Sequence, residues 1–339
     1  METPTFATRR AGDQHVEIAV AELREVRIPM SRVVLGTMSF GDTADEAASE
    51  AMFEAALAAG INGIDTANGY ARGTTEGLIA PLIKRHRDRI VLATKAGMPH
   101  ADAGEHAPLS AAGLRASVEG SLRRLDVDRV DLFYLHQPDR ATPIGETLET
   151  IAALRSEGKI GALGISNYSA WQALEIVHEA KRIGMPGPVV AQNVYNLVAR
   201  RMEDEWFEFA DRYGVLTMCY NPLAGGLLVR RPDEEAPSRF SGSVLAEMYR
   251  KRYWTPGVLD AVRTLADLAD EAGISLVELA LRWMVSVPGP GALLLGGGKV
   301  DQLQANLAAL AKGPLDADLT ARCSAPTDLI KGSMPAYNR

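Results

Sequence analysis

The chain is short of cysteine, of long apolar runs and of excess positive charge. Two cysteines in 339 residues, Cys219 and Cys323, cannot build a disulfide framework, and their spacing fits no metal motif. No run of about 18 apolar residues occurs, so no helical membrane span is expected. The first twenty residues lack the continuous apolar stretch of a secretory signal, and a reduced, cytoplasmic setting is the expectation. Lys and Arg total 36 against 43 Asp and Glu, a net charge of −7, which makes nucleic acid a poor candidate partner. The G-x-G-x-x-G fingerprint of a dinucleotide-binding open sheet is absent after the early strands.

What is present is an ordinary globular composition, 47% hydrophobic and 23% charged, with enough length to bury a large core. Val16–Ala19 and Glu22–Ile28 read as two short extended runs, a candidate hairpin. From Val33 onward, short β-rich runs alternate with stretches of helical period. Val33–Gly36 precedes an alanine-rich helix stopped by Gly60, and Gly63–Asp65 precedes a helix from about Thr75 to Arg87. Ile90–Lys95 precedes a helix opened by Ser110, a plausible N-cap. Val130–His136 precedes a helix near Ile144–Glu157, with Pro143 at its first turn. Ala162–Ile165, Val189–Gln192, Val215–Tyr220 and Ala292–Leu295 lead the remaining units. The last helices are expected near Gly257–Ala272, Leu276–Val285 and Val300–Lys312.

Eight strand–helix units without an evident linker predict an α/β chain folded as a single-domain (β/α)8 TIM barrel. The alternative is a doubly wound open sheet, which the missing glycine fingerprint disfavours. The expected organisation is an N-terminal extension and hairpin over 1–30, a barrel over 31–312, and a C-terminal tail over 313–339. Long loops crowd the catalytic face. The longest, Arg230–Thr255, is rich in charge, Pro and Gly and reads as a lid, and the ending KGSMPAYNR is a second candidate cover. In a barrel the active site lies at the carboxyl ends of the strands. Those ends carry Thr37, Asp65, Lys95, His136, Ser166-Asn167, Gln192, Tyr220 and the Gly296–Lys299 run GGGK, polar or ionisable at almost every position.

The motifs at these ends resemble the aldo-keto reductase superfamily. They are LGTMSFG from Leu35, GIDTANGY from Gly63, VLATKAG from Val91, DLFYLHQPD from Asp131, GKIGALGISNYS from Gly158, AQNVYNL from Ala191 and YNPLAGGLL from Tyr220. The resemblance runs from Leu35 to about Leu310, in order. It implies a barrel that binds NADPH, with NADH a possibility, and that reduces a small-molecule carbonyl substrate. It also implies a catalytic tetrad of Asp65, Tyr70, Lys95 and His136. Residue chemistry agrees. Hydride transfer to a carbonyl leaves negative charge on oxygen and calls for a proton donor with positive charge nearby. Tyr70 is assigned as the donor, Lys95 as the cation that lowers its pKa, Asp65 as the lysine's partner, and His136 as an orienting group and second candidate donor.

The same resemblance implies a cofactor set. Gly36, Thr37 and Met38 lie against the nicotinamide side, Ser166, Asn167 and Gln192 hold the carboxamide, and Tyr220 stacks on the ring. Asn221, Leu223 and Gly225 run along the pyrophosphate. At the adenosine end Gly296, Gly298, Lys299, Gln302 and Asn306 remain. This chain departs from the pattern there: Ala305 stands where the family has a carboxylate, and Lys299 is the basic candidate for a 2′-phosphate. Arg200-Arg201 and Arg230-Arg231 read as solvated charges that could otherwise meet phosphate. Two rivals stay open: a barrel aldolase or lyase with Lys95 as Schiff base, and a cofactor-binding regulatory subunit with little turnover, as in the potassium-channel beta subunits the family includes.

Overall fold

The computed structural model describes residues 5–9, 16–232, 237–241, 243 and 245–331. Two short antiparallel pairs come first: β1 (Ala7–Arg9) with β2 (Val16–Ile18), and β3 (Val20–Ala21) with β4 (Met30–Ser31). The expected hairpin between Val16–Ala19 and Glu22–Ile28 is therefore re-paired. The first run takes its partner from upstream, and 22–28 forms the turn between β3 and β4. Residues 22–28 carry apolar residues at Leu23, Val26 and Ile28 but have no partner strand of matching length, which local pattern cannot reveal.

Eight parallel strands then close a barrel: β5 (Val33–Gly36), β6 (Gly63–Asp65), β7 (Val91–Ala96), β8 (Val130–Leu135), β9 (Ile160–Ser166), β10 (Val190–Val194), β11 (Leu216–Tyr220) and β12 (Ala292–Leu295), with β12 hydrogen-bonded back to β5. Strands buried on both faces need apolar residues at every position, and β7, β8 and β9 are buried throughout. Alternation divides them. Val33 and Leu35 point out to the helices, while Val34 joins Val91, Leu132, Tyr134, Ala162, Val190 and Met218 inside the barrel. Gly164 makes room for this interior, since a Cβ there would lie 2.5 Å from the Tyr134 ring. Leu23, Val26, Ile28 and Met30 pack against the interior cluster, so the β3–β4 hairpin plugs the amino end of the barrel.

The helices between strands are α1 (Glu46–Ala58), α2 (Thr75–His86), α3 (Ala111–Leu125), α4 (Ile144–Ser156), α5 (Ala170–Arg182) and α6 (Trp206–Tyr213). Their starts follow local chemistry. Asp45 accepts from Ala48 N–H, Ser110 accepts from Gly113 N–H, Pro143 takes the N-cap position of α4 without a side-chain bond, and Ser169 with Gln172 forms a capping box. After β11, the segment read as one long loop contains α7 (Ala246–Tyr253). Then come α8 (Pro256–Glu271), α9 (Leu276–Met284) and, after β12, α10 (Val300–Leu310). The C-terminal segment read as a tail holds a further helix, α11 (Ala317–Lys331), which packs on α8. Cys323 and Thr327 are its buried residues, four apart, which left little apolar period to detect. The expectation that KGSMPAYNR covers the pocket falls, after Lys331, outside the described residues.

Candidate active site

Asp65 ends β6 and Lys95 lies on the neighbouring strand β7, and both are fully buried at the carboxyl end of the barrel. A buried lysine is costly unless its charge is met, and here three acceptors surround it. Lys95 Nζ donates to the Asp65 carboxylate, to the Thr66 carbonyl at 2.9 Å and to the Tyr70 hydroxyl oxygen at 3.1 Å. Asp65 uses its other oxygen to accept from Gln192 Nε2 at 2.8 Å. Burial opposes the lysine's charge, but Asp65 and Tyr70 outweigh it and hold Lys95 above its ordinary value. Burial also pushes the Asp65 carboxyl up against the pull of Lys95. Three fixed partners stand behind the lysine's direction, and Lys95 and Asp65 form an ion pair.

Tyr70 opens a tight turn after β6, Tyr70–Gly73, in which Ala71 and Arg72 take left-handed φ values of 44° and 58°. Such backbone is strained for residues with a Cβ. It is braced by Thr74 Oγ1, which donates to the Ala71 carbonyl at 2.9 Å. The ammonium's third proton is spent on the Tyr70 oxygen, so the phenol accepts from Lys95 and keeps its own proton to donate elsewhere. The lysine was expected to lower the phenol's pKa. It does pull in that direction, but burial pushes the other way and wins, and Tyr70 titrates above its ordinary value.

His136 follows β8, its ring edge-on to Tyr70 with centroids 6.1 Å apart. Burial, and next the charge of Lys95, push it down to about 3. Its Nδ1 is buried and has no hydrogen-bond partner among the described residues.

Around this tetrad the expected cofactor residues fall into three groups. Asn167 has a left-handed φ of 64° and is the hub of the first. Its Nδ2 donates to the His136 carbonyl at 2.9 Å and to Ser166 Oγ at 3.0 Å, and its Oδ1 accepts from the Tyr220 hydroxyl at 2.8 Å. Gln192 joins this hub through its carbonyl, which accepts from Ser166 Oγ at 2.8 Å, while its side-chain Nε2 is committed to Asp65. Thr37 is likewise occupied, its hydroxyl donating to the Asp65 carbonyl at 3.0 Å, next to Gly36 and the half-buried Met38.

The second group is the turn after β11. Asn221 Oδ1 accepts from Gly225 N–H at 2.6 Å while its Nδ2 donates to Tyr253 Oη, and Leu223 accepts through its carbonyl from Gly226 N–H. Gly225 and Gly226 have φ of +69° and +99°, and a Cβ on Gly225 would lie 2.5 Å from the Tyr249 ring, so glycine is required there. The third group sits at the end of β12. Ser39 Oγ donates to the Gly297 carbonyl at 2.7 Å, drawing Gly296–Gly298 toward the turn after β5. Lys299, at the start of α10, and Gln302 are exposed, and Asn306 is buried.

The arginine pairs divide. Arg200 is largely buried and grips Glu203 and Thr327, whereas Arg201 and Arg230 are exposed, as solvated charges would be, and Arg231 pairs with Asp267 and Asp270 at the surface. Sequence reasoning missed Arg239 and Arg252 in the segment taken as a lid. Arg252 on α7 lies 5.9 Å from the Tyr220 ring centroid, and Arg239 Nη1 is buried with no hydrogen-bond partner among the described residues. The signal that could have found α7 is the YRKRY run, which puts Tyr249 and Tyr253 one turn apart on a buried face.

These residues fit an extended dinucleotide. Among the described residues, a buried guanidinium nitrogen and a buried imidazole nitrogen have no hydrogen-bond partner, and the half-buried Tyr220 ring stands with the Asn167 hub at the same end of the barrel. Residues 32–326 match the model described as Aldo/keto reductase family. The chain is 35% identical to the rat "Aflatoxin B1 aldehyde reductase member 2" over 324 residues, 90% of this chain and 87% of that one. It is 36% identical to the human "Aldo-keto reductase family 7 member A3", over 90% and 96% of the two chains. A rice "Probable voltage-gated potassium channel subunit beta" is 33% identical over 82% of this chain and 86% of its own.

Proposed function

This chain belongs to the aldo/keto reductase family of oxidoreductases, and from that premise we propose that it reduces an aldehyde or ketone to the alcohol, with NADPH as reductant and Tyr70 as proton donor. The observation that carries the reading is the direction of the Lys95–Tyr70 hydrogen bond, which leaves the phenol proton free for a substrate oxygen.

A bound nicotinamide supplies the hydride. Asn167 and Ser166 would hold its carboxamide and the Tyr220 ring would back it, while Gly225, Arg239 and Lys299 would meet the phosphates. Every other part of the chemistry belongs to the tetrad. Tyr70 donates its proton to the carbonyl oxygen as charge develops there, and Lys95 lies close enough to stabilise the phenolate left behind. Asp65 keeps the lysine charged and aimed. With its pKa near 3, His136 is neutral at working pH. It therefore orients the carbonyl by a hydrogen bond, and the proton-donor role falls to Tyr70 alone.

The Schiff-base alternative asks for a neutral lysine, which covalent amine catalysis obtains by lowering the amine's pKa. Lys95 is shifted the other way. The regulatory reading makes the same binding demands and differs in turnover. The aldehyde in the rat relative's name favours aldehydes as the first substrates to try. The test is NADPH consumption across aldehydes, ketones and keto sugars. Turnover with stoichiometric alcohol supports the reading, and cofactor binding without turnover on any class overturns it in favour of the regulatory one.

A further inference from the structure

A second fully buried carboxylate stands beside the tetrad without belonging to it. Glu76 lies in the first turn of α2, shortly after the strained Tyr70–Gly73 turn. Its Oε1 accepts from Thr94 Oγ1 at 2.6 Å, and Thr94 is the neighbour of Lys95 on β7. Its Oε2 accepts at 2.9 Å from Nε of Arg124, near the end of α3.

Arg124 has a second grip. Its Nη1 and Nη2 donate to the two oxygens of Asp102 at 3.0 and 2.8 Å. Asp102 belongs to the short turn Ala101–Ala103 after β7, and its backbone N–H donates to His100 Nδ1 at 3.1 Å. Gly120 on α3 leaves the room this carboxylate fills, since a Cβ there would collide with it. His100 in turn packs on the turn that carries Tyr70: a Cβ on Gly73 would lie 3.1 Å from His100 Nε2. One guanidinium therefore holds both flanks of that turn, through Glu76 on one side and the His100–Asp102 segment on the other. Its rigid fork of donors suits the task, which a lysine could not match. Burial opposes the charge of Arg124, but Asp102 and Glu76 outweigh it and hold the group above its ordinary value.

Left-handed backbone at Ala71 and Arg72 persists only where the surroundings over-determine it. We propose that Arg124 and Glu76 are positioning residues for proton transfer: their clamp keeps the Tyr70–Gly73 turn in its strained shape and the phenol against Lys95. The inference rests on the reading of Tyr70 as donor. Apart from burial, the groups that shift Tyr70 are Lys95, Asp65 and Tyr220. The clamp acts on the phenol through its place and not through its charge.

Four full-length chains test it: wild type, Arg124→Met, Tyr70→Phe and the double variant, compared by single-turnover reduction at saturating NADPH. Arg124→Met is expected to slow the chemical step about 10-fold to 100-fold, the scale of a misplacement of about 1 Å. It should add no further loss in the Tyr70→Phe chain, because a residue that acts through the phenol has nothing left to position. NADPH affinity, read by fluorescence in the same samples, should hardly change. If Arg124→Met does not fold, Asp102→Asn carries the same cycle: it opens the outer half of the clamp and leaves Arg124 on Glu76, with a smaller loss expected. An unchanged rate, or an equal loss with and without the Tyr70 hydroxyl, overturns the clamp. A Tyr70→Phe chain as fast as wild type overturns the donor reading itself, and that comparison involves no clamp variant.

Discussion

The two ends of the proposed cofactor groove are built on opposite principles. At the tetrad, Lys95 and Asp65 are fully buried on adjacent strands, and every proton of the ammonium has an acceptor. At the adenosine end, Lys299 keeps contact with solvent, follows three glycines and starts α10 with no side-chain cap. A buried charge costs several kcal/mol unless paired, so few arrangements can hold Lys95 and its role follows from its place. A solvated lysine carries no such penalty, and its position constrains its role very little. Rigid, dry sites thus declare their chemistry, while solvated ones express it only when a ligand arrives.

Substitution should make that contrast measurable. Lys95→Met is expected to cost about 100-fold or more in turnover, the scale of lost acid–base assistance. It should also cost about 3–5 kcal/mol in stability, because Asp65 is left buried without its cation. Denaturant titration and steady-state kinetics report the two losses. Tyr70 already titrates above its ordinary value, so alcohol oxidation should climb with pH past about 10. Removing the lysine, which pulls that pKa down, should move the climb higher still. A variant with wild-type stability and an unmoved profile would break the account of the buried end.

Lys299→Ala should be far milder. Stability should stay within about 0.5 kcal/mol, while the preference for NADPH over NADH falls about 10-fold, the scale of one charge-assisted contact. Because the group is in contact with solvent, that preference should shrink in wild type as salt rises. A ratio of cofactor specificities unchanged by Lys299→Ala would transfer the 2′-phosphate to another cation, with Arg239 the first to examine.

The smallest effect is an expected absence of change. With His136 pushed down to about 3 by burial and Lys95, its ring is already neutral well below neutrality. The kcat/KM for carbonyl reduction should then show no inflection near 6.5 between about pH 5 and 8. An inflection there that disappears in His136→Ala would mean the ring titrates in the working range and shares the proton transfer.

The same difference explains what could be read from sequence. Barrel strands announce themselves because parallel strands buried on both faces must be apolar throughout, as in VDLFYL of β8. A lysine ending VLATK stands out against that background. Helix starts were legible from Ser110 and Pro143. By contrast, α7 and α11 lie outside the strand–helix rhythm and bury few residues, and β1 finds its partner across a gap that pattern does not span. The hydrogen bond from Gln192 to Asp65 joins residues 127 apart and depends on where two strand ends meet. The net upward shift of Tyr70 depends on burial, which residue type does not disclose.

The central claim is that Tyr70 supplies the proton, and single-turnover reduction by Tyr70→Phe at saturating NADPH tests it most directly. The account predicts a drop of about 100-fold or more in the rate of the chemical step, the scale of general acid catalysis. NADPH affinity, measured in the same samples by fluorescence, should hardly change. A Tyr70→Phe chain that completes its turnover near the wild-type rate would contradict the assignment.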